Sequence, residues 1–314
     1  MLSAIPRRPR WIVVATVFSY AGLSAGVASA AEPAVVVTMK PVHSLVSQIM
    51  DGIAKPVLIV DGTASPHTFS LRPSAAKAVN DAAVFVRISE TVEPFTRKIV
   101  NSLPSSVTLI TLSEVQGMKL LEQREGGTFE EHVHEEDHDH GGKDGHIWLD
   151  PENAKSIVLE VTKVLSEKFP EQAVKLKSNA DKLHEKLDAL TVEIESLLAP
   201  VKGKPFVVFH DATQYFENRF AMKAAGSITV SPDVQPSAKR LTEVRKKIAQ
   251  LDAVCVFAEP GFQPNLVAAV TEGSKARSGT IDAEGQTLTP SPELYFDLMR
   301  GLARNIRGCL QPVS

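Results

Sequence analysis

The chain has 314 residues and a formal charge of −3, with 43% apolar residues. An acidic balance of this kind excludes nucleic acid as a partner, because phosphate binding needs clustered lysine and arginine. The length suffices for two domains of ordinary size.

The N-terminus reads as a targeting segment. Arg7, Arg8 and Arg10 precede the apolar run "WIVVATVFSYAGLSAGVA", which fades into small residues and ends on "ASA" at Ala28–Ala30. Export with cleavage near Ala30 is the expectation. A cleavage site of this type, with no lipobox cysteine, implies the periplasm. Removing residues 1–30 takes away three arginines and no acids, so the charge moves from −3 to −6. Nothing after Ala31 is apolar for long enough to span a bilayer, so no stable membrane insertion of the mature chain is expected.

"PAVVVTMKP" predicts a short strand that breaks at Pro41, and "HSLVSQIMDG" a helix that stops at Gly52. "KPVLIVDG" is extended, and "SLRPSAAKAVNDAAVFVRIS" predicts a helix opened near Pro73 and then a buried strand. "TVEPFTRKIVNSLP" is helical and "SVTLITLSE" extended. Strands alternating with helices point to a parallel sheet covered on both faces. After an acidic tract, "DPENAKSIVLEVTKVLSEKF" predicts a helix with Asp150 as N-cap and Pro151 in its first turn. Pro170 breaks it, and a second helical pattern runs from Glu171 to Leu198 without glycine or proline. Such a rod reads as a connector rather than as part of either core. The alternation then restarts with "KPFVVFHD", "TQYFENRFAM", "SITVSPDVQPS", "SAKRLTEVRKKIAQ", "AVCVFAEPGFQ", "PNLVAAVTEG", "RSGTIDAEG" and "SPELYFDLMRGLARNIRGCL". The predicted architecture is α/β, two lobes with parallel sheets joined by one long helix. Its segments are a signal peptide (1–30), an N-terminal lobe (31–170) with a mobile loop at 126–145, a connecting helix (171–199) and a C-terminal lobe (200–314).

The chain has two cysteines, Cys255 and Cys309. An even count in an exported protein predicts a disulfide, here one that would staple the last helix onto a sheet.

Ligands of open α/β sheets bind beyond the carboxyl ends of strands. His67 follows the strand "PVLIV", His146 lies in "DGHIWLDP" before the capped helix, His210 ends "FVVFHD", and Asp282 follows a short strand in "SGTIDAEG". Three neutral imidazoles plus a carboxylate or water make a zinc shell. A second group, His132, His134, His138 and His140, lies in the tract "EEHVHEEDHDHGG" among glutamates and aspartates. With almost no apolar residue this tract cannot bury a core, and it reads as an accessory, low-affinity metal collector.

"SPHTFSLRPS", "GHIWLDP" and "FHDATQYF", with the early "MKPVHSLV", resemble the signature segments of zinc-binding solute receptors of ABC importers, the ZnuA-like members of cluster A-I. The resemblance covers essentially the whole mature chain. It implies that His67, His146 and His210 bind Zn2+ in the cleft between the lobes, and that the ion passes to an ABC importer permease. In manganese-binding relatives a glutamate stands at the position of His210 and an aspartate at that of Asp282, so His210 favours zinc. Some zinc receptors carry a glutamate just before the first histidine, where this chain has Pro66. The fourth ligand is therefore open between Asp282, a water and a loop side chain. Asp211, pointing away from His210, reads as structural.

The chain is not expected to be an enzyme. It has no H-E-x-x-H, no G-x-S-x-G and no phosphate-cradling loop. The other readings are an exported zinc chaperone or adhesin without a transporter and, more remotely, a metal-dependent hydrolase. The mature chain reads as a monomer.

Overall fold

The computed structural model describes Met1 and residues 34–124, 129, 142–229, 236–250, 253–261 and 264–311. The expected signal peptide and the loop histidines His132, His134, His138 and His140 lie outside the described residues.

The first sheet contains β1 (Val35–Val37), β2 (Val57–Leu58), β3 (Val84–Arg87) and β4 (Thr108–Thr111) in the order β2-β1-β3-β4. The second contains β5 (Phe206–His210), β6 (Ala224–Thr229), β7 (Cys255–Ala258) and β8 (Arg277–Thr280) in the order β6-β5-β7-β8. All pairings within these sheets are parallel. In both sheets the strand order reverses beside the first strand, creating a crevice at the carboxyl ends where that strand meets its later neighbour.

The helices are α1 (Lys40–Ile49), α2 (Pro73–Asn80), α3 (Arg97–Asn101), α4 (Pro151–Lys168), α5 (Ala173–Leu198), α6 (Gln214–Phe220), α7 (Ala238–Gln250), α8 (Pro264–Thr271) and α9 (Leu294–Leu310). Asp150 caps α4 as its sequence suggests, accepting from the Glu152 amide at 3.0 Å, with Pro151 beside it. The pattern over 91–104 yields less helix than expected. Pro94 opens a 3-10 turn at Pro94–Thr96, and only five residues continue as α3.

The strands are apolar at successive positions because both faces are buried. Val35 and Val37 of β1 face one cluster, and Val36 faces another. In β5, Phe206 and Val208 join the first cluster, while Val207 and Phe209 face an outer one with α7 and α8 residues Val244, Ile248 and Val267. The inner cluster runs without a break from Val35 to Leu310 through both lobes. The stripe Leu176, Leu183, Leu187, Leu190, Ile194 and Leu198 of α5 is buried inside it. This corrects the reading of α5 as a rod outside either core. It joins the two sheets in sequence and also fills the space between them, because seven turns of helix with one apolar stripe must bury that stripe somewhere.

Helix α9 closes the chain, and the Cys255–Cys309 disulfide ties it to β7, with Cα atoms 6.1 Å apart. A Cβ at Gly279 on neighbouring β8 would stand 2.7 Å from the Phe257 ring and 3.2 Å from Cys309 Sγ, so only glycine admits this packing. The bridge spans 54 residues. Its removal in a Cys255→Ser/Cys309→Ser protein should lower stability by about 4 kcal/mol in the chain-entropy picture, read as a lower urea midpoint.

Candidate metal centre

His67 lies in the loop between β2 and α2, His146 caps a 3-10 turn (Ile147–Leu149) just before α4, and His210 is the last residue of β5. The fold brings these three together. Their ring centroids form a near-equilateral triangle with sides of 4.9, 5.4 and 5.5 Å. One nitrogen from each ring falls within 4.8 Å of the others, and no second cluster of this kind occurs among the described residues. The His210 side chain is 1% exposed and that of His67 10%.

Two of the rings are held from behind by carboxylates. Asp144 Oδ1 accepts from the His146 amide at 3.0 Å and from Nδ1 at 2.7 Å. Glu259 does the same for His210, with Oε1 3.2 Å from the amide and Oε2 3.0 Å from Nδ1. Because an ionised carboxylate only accepts, each Nδ1 carries a hydrogen, and each Nε2 faces forward as the position left for a proton or a metal. The two Nε2 atoms are 3.1 Å apart. At that distance one Nε2 carries a proton and donates to the other, as the high pKa of His210 implies, or a metal cation takes that proton's place. His67 Nε2 is also buried without a hydrogen-bond partner. Burial, with the neighbouring His146 and His210, pushes its pKa well down and keeps that ring neutral. Burial also opposes charge on His210, but Glu259, and then Glu284 and Asp211, outweigh it, and the pKa is pushed up to about 9. An array of imidazole nitrogens whose far sides are fixed by carboxylates is the donor set of a divalent-metal site.

His210 ends β5 and Glu259 directly follows β7, so this pair straddles the strand-order reversal of the second sheet. Asp144 is positioned by a short antiparallel stem: its amide donates to Leu121 O at 2.9 Å, Gln123 N donates to Gly142 O at 2.9 Å, and Glu122 bridges to Lys143. Tyr215 donates from its hydroxyl to Asp144 O at 2.7 Å and accepts from the Leu121 amide at 3.0 Å. Gly145 has no room for a Cβ, which would lie 2.4 Å from Val92 Cγ2. The acidic loop expected at 126–145 therefore overshoots at its C-terminal end, because residues 142–145 belong to the frame that carries His146.

Asp282 is not brought to the three histidines. Its carboxylate accepts from the amides of Gln286 and Thr287, both at 2.8 Å, and from Thr287 Oγ1 at 2.7 Å. It shapes the turn after β8. The nearer carboxylate is Glu284, buried, with Oε1 3.5 Å from His67 Nε2. Asp211 is clamped by Arg124, whose guanidinium also reaches Glu217. Asp144, Glu259 and Glu284 were not singled out from the sequence as ligand supports. The available signal was "AVCVFAEP", an apolar strand ending in an acid, which parallels "FVVFHD".

The lobes meet the site through polar ties. Lys40 Nζ donates to the carbonyls of Gly285, Gln286 and Leu288 at 3.1, 3.0 and 2.9 Å. Trp148 Nε1 donates to Ala283 O at 2.9 Å, and Tyr295 donates from its hydroxyl to Trp148 O at the same distance.

The model of the family described as ZnuA, zinc-uptake complex component A, periplasmic, matches residues 35–309. The chain is 44% identical over 304 residues to the high-affinity zinc uptake system protein ZnuA of Brucella abortus (strain 2308), covering 88% of this chain and 91% of that protein. It is 32% identical over 295 residues to the protein of the same name from Yersinia pestis, covering 90% and 92%. Among solved structures, a crystal structure of ZnuA superposes with a TM-score of 0.74 at 20% identity, covering 88% of this chain and 98% of that one. The laminin-binding protein Lmb of Streptococcus agalactiae, described as having adhesin and metal-transporting activity, gives 0.73 at 22%, again over 88% and 98%. At these identities the two structures establish the shared fold.

Close to this frame, Glu93 is fully buried, and its Oε2 accepts from the Ile88 amide at 2.7 Å. Burial pushes its pKa up to about 7, against the opposing pull of Thr38, backbone donors and Arg87. The folded state therefore holds this proton more tightly than the unfolded chain. The associated stability is complete below about pH 4.5 and is lost as pH rises through about 7, a change of roughly 3 kcal/mol. Glu93→Gln should flatten this part of the stability profile and raise the melting temperature at pH 8, as measured by thermal unfolding across pH.

Proposed function

The chain belongs to the ZnuA family of periplasmic zinc-uptake components, and from that premise we propose that His67, His146 and His210 bind Zn2+ as cargo for an ABC importer permease. The observation that carries the residue assignment is the convergence of one ring nitrogen from each of three histidines, two of the rings fixed by Asp144 and Glu259. Imidazole donors suit zinc better than the oxygen-rich shells of harder ions. The zinc uptake proteins it resembles are named for transport, and the chain acts as a receptor rather than an enzyme.

Several finer features belong to the same reading. Residues 1–30 act as a cleaved export signal, their composition being the support for a periplasmic mature receptor, and the mature chain acts as a monomer. No helix among the described residues is long and apolar enough to cross a membrane. The segments 31–170, 171–199 and 200–314 serve as first lobe, connector and second lobe. The composition of the acidic tract supports weak accessory zinc binding by His132, His134, His138 and His140, because ligands on a polar, coreless segment lose ordering entropy when they chelate.

Titration calorimetry on the exported protein tests the assignment. His210→Ala should abolish tight zinc binding while leaving weak sites. Deleting residues 130–141, which spares the stem and Asp144, should keep one tight site and lower the total stoichiometry. Tight binding retained by His210→Ala, or lost on the deletion, would remove the assignment. Transport is tested by a deletion strain: poor growth in low zinc, restored by added zinc, is the expected phenotype.

A further inference from the structure

We propose that Arg124 is a positioning residue of the metal centre, a clamp that holds His210, at the end of β5, at binding distance from His146. The inference rests on the three-histidine reading above and extends it to a residue that does not touch the ion.

The two histidines are anchored separately. Asp144 grips His146 within the stem of residues 121–123 and 142–144, and Glu259 grips His210 within the second sheet. Neither bond sets the distance between the two rings. Something must join stem to sheet, and α6 is the element that faces both. Tyr215 bonds Asp144 O and the Leu121 amide, Asn218 accepts from Lys119, and Arg219 donates to Asp150 at 2.6 and 3.0 Å. These contacts hold α6 but stop short of β5. Arg124 goes further, to the residue that follows His210.

Its Nε donates to Asp211 Oδ1 and Oδ2 at 3.1 and 3.0 Å, and Nη2 also donates to Oδ1. Nη1 donates to Glu217 Oε2 at 2.8 Å, and Nη2 to Oε1 at 3.0 Å. Glu217 in turn accepts from Thr213 Oγ1 at 2.7 Å and from the Ala224 amide at 2.9 Å, so it ties the segment between β5 and β6. A planar fork of five donors is suited to holding two carboxylates in one fixed geometry. Phe129 covers one face of the guanidinium, whose carbon lies 3.8 Å from the ring centroid.

These bonds close a ring. From His146 it passes through Asp144, the stem and Arg124 to Asp211. The peptide bond then returns it to His210, whose Nε2 stands 3.1 Å from that of His146. Breaking one link frees the distance across the ring. Stability alone accounts poorly for the triad. Arg124 is 16% exposed and each acid 4%, so three charges have been taken out of water. That desolvation offsets much of the Coulomb attraction, and what such a group supplies is register.

The sign of the charge gives the clamp a distinctive signature. A guanidinium near a cation site repels the ion, so deleting its charge strengthens zinc binding by Coulomb's law alone. Deleting a clamp does the reverse. The ligands must then be ordered when the ion arrives, and that cost is subtracted from the affinity.

The test uses the full exported protein, with Zn2+ in chelator competition and Co2+ as a spectroscopic substitute. Arg124→Gln should weaken zinc binding by about 10-fold, the low end of the range for groups that support metal ligands, and should shift the visible d–d bands of the cobalt form. Arg124→Lys, which restores the charge without the fork, should recover only part of the loss. Asp211→Asn should also weaken binding, and the double variant should lose less than the two losses combined, because both break the same link. Tighter binding in Arg124→Gln would reduce the residue to its charge and overturn the proposal, as would full recovery in Arg124→Lys. Unchanged affinity and bands beside a lowered melting temperature, the mark of a merely structural tie, would overturn it too. If Arg124→Gln folds poorly by circular dichroism, Arg124→Lys and Asp211→Asn decide, and wild-type affinity in both overturns it. His210→Ala separates the two levels. Retention of tight binding there removes the centre itself, whereas its loss beside an indifferent Arg124→Gln removes only the clamp.

Discussion

Three imidazole nitrogens are made to face one another inside a nearly dry cleft, and much of the architecture around them serves to hold them there. Left to themselves, His146 and His210 would turn apart or share hydrogen bonds with solvent. Asp144 and Glu259 prevent this by accepting from Nδ1 and from the backbone amide of the same residue. A carboxylate that grips both ring and backbone fixes the ring's orientation and its Nδ1 hydrogen together, so the Nε2 atoms converge before any ion arrives. The free energy of ordering the ligands is thereby supplied during folding rather than on binding.

Such pre-organisation requires lobes that do not drift, since His146 is carried on the first and His210 on the second. The continuous inner cluster answers that requirement. Helix α5 lies within it, and α1 of the first lobe packs against α9 at the end of the chain. Lys40, Ser44 and Trp148 add directed bonds across the same boundary. A receptor whose lobes were joined only by extended strands could hinge over its ligand. One with a buried helix of 26 residues in the joint would have to break apolar packing to do so.

Much of this was legible in the chain before any coordinates. Parallel strands with two buried faces appear as unbroken β-branched runs, the α4 cap as Asp-Pro, and the three converging histidines as imidazoles beside strand exits. The disulfide followed from two cysteines in an exported chain and is formed. What could not be read was direction. Asp282 and Glu284 both follow β8 and are separated by one residue, and only Asp282, nearer the strand exit, stood out in the pattern. Its side chain is short enough to fold back onto the amides at 286 and 287, as aspartates in turns do. The longer glutamate cannot do so as readily and points into the cleft. The connecting role of α5 is legible in the chain, but its place in the core is not, for a related reason: a helical stripe shows that one face is buried but not which core receives it.

The supporting carboxylates were invisible for a further reason: their partners are distant in the chain or hidden by the chemistry around them. Glu259 lies 49 residues from His210, and only the parallel pairing of β5 with β7 puts them side by side. Asp144 is two residues from His146 but sits at the end of a long acidic tract, where one more acid carries no signal. Its burial depends on the stem with residues 121–123 and on the Tyr215 hydroxyl from the other lobe. The same acid type thus serves opposite ends within a few residues. In the tract the acids alternate with histidines and almost no apolar residue, a composition with metal-seeking chemistry. At Asp144 a single one is withdrawn from water, and its worth comes from the one imidazole it can hold.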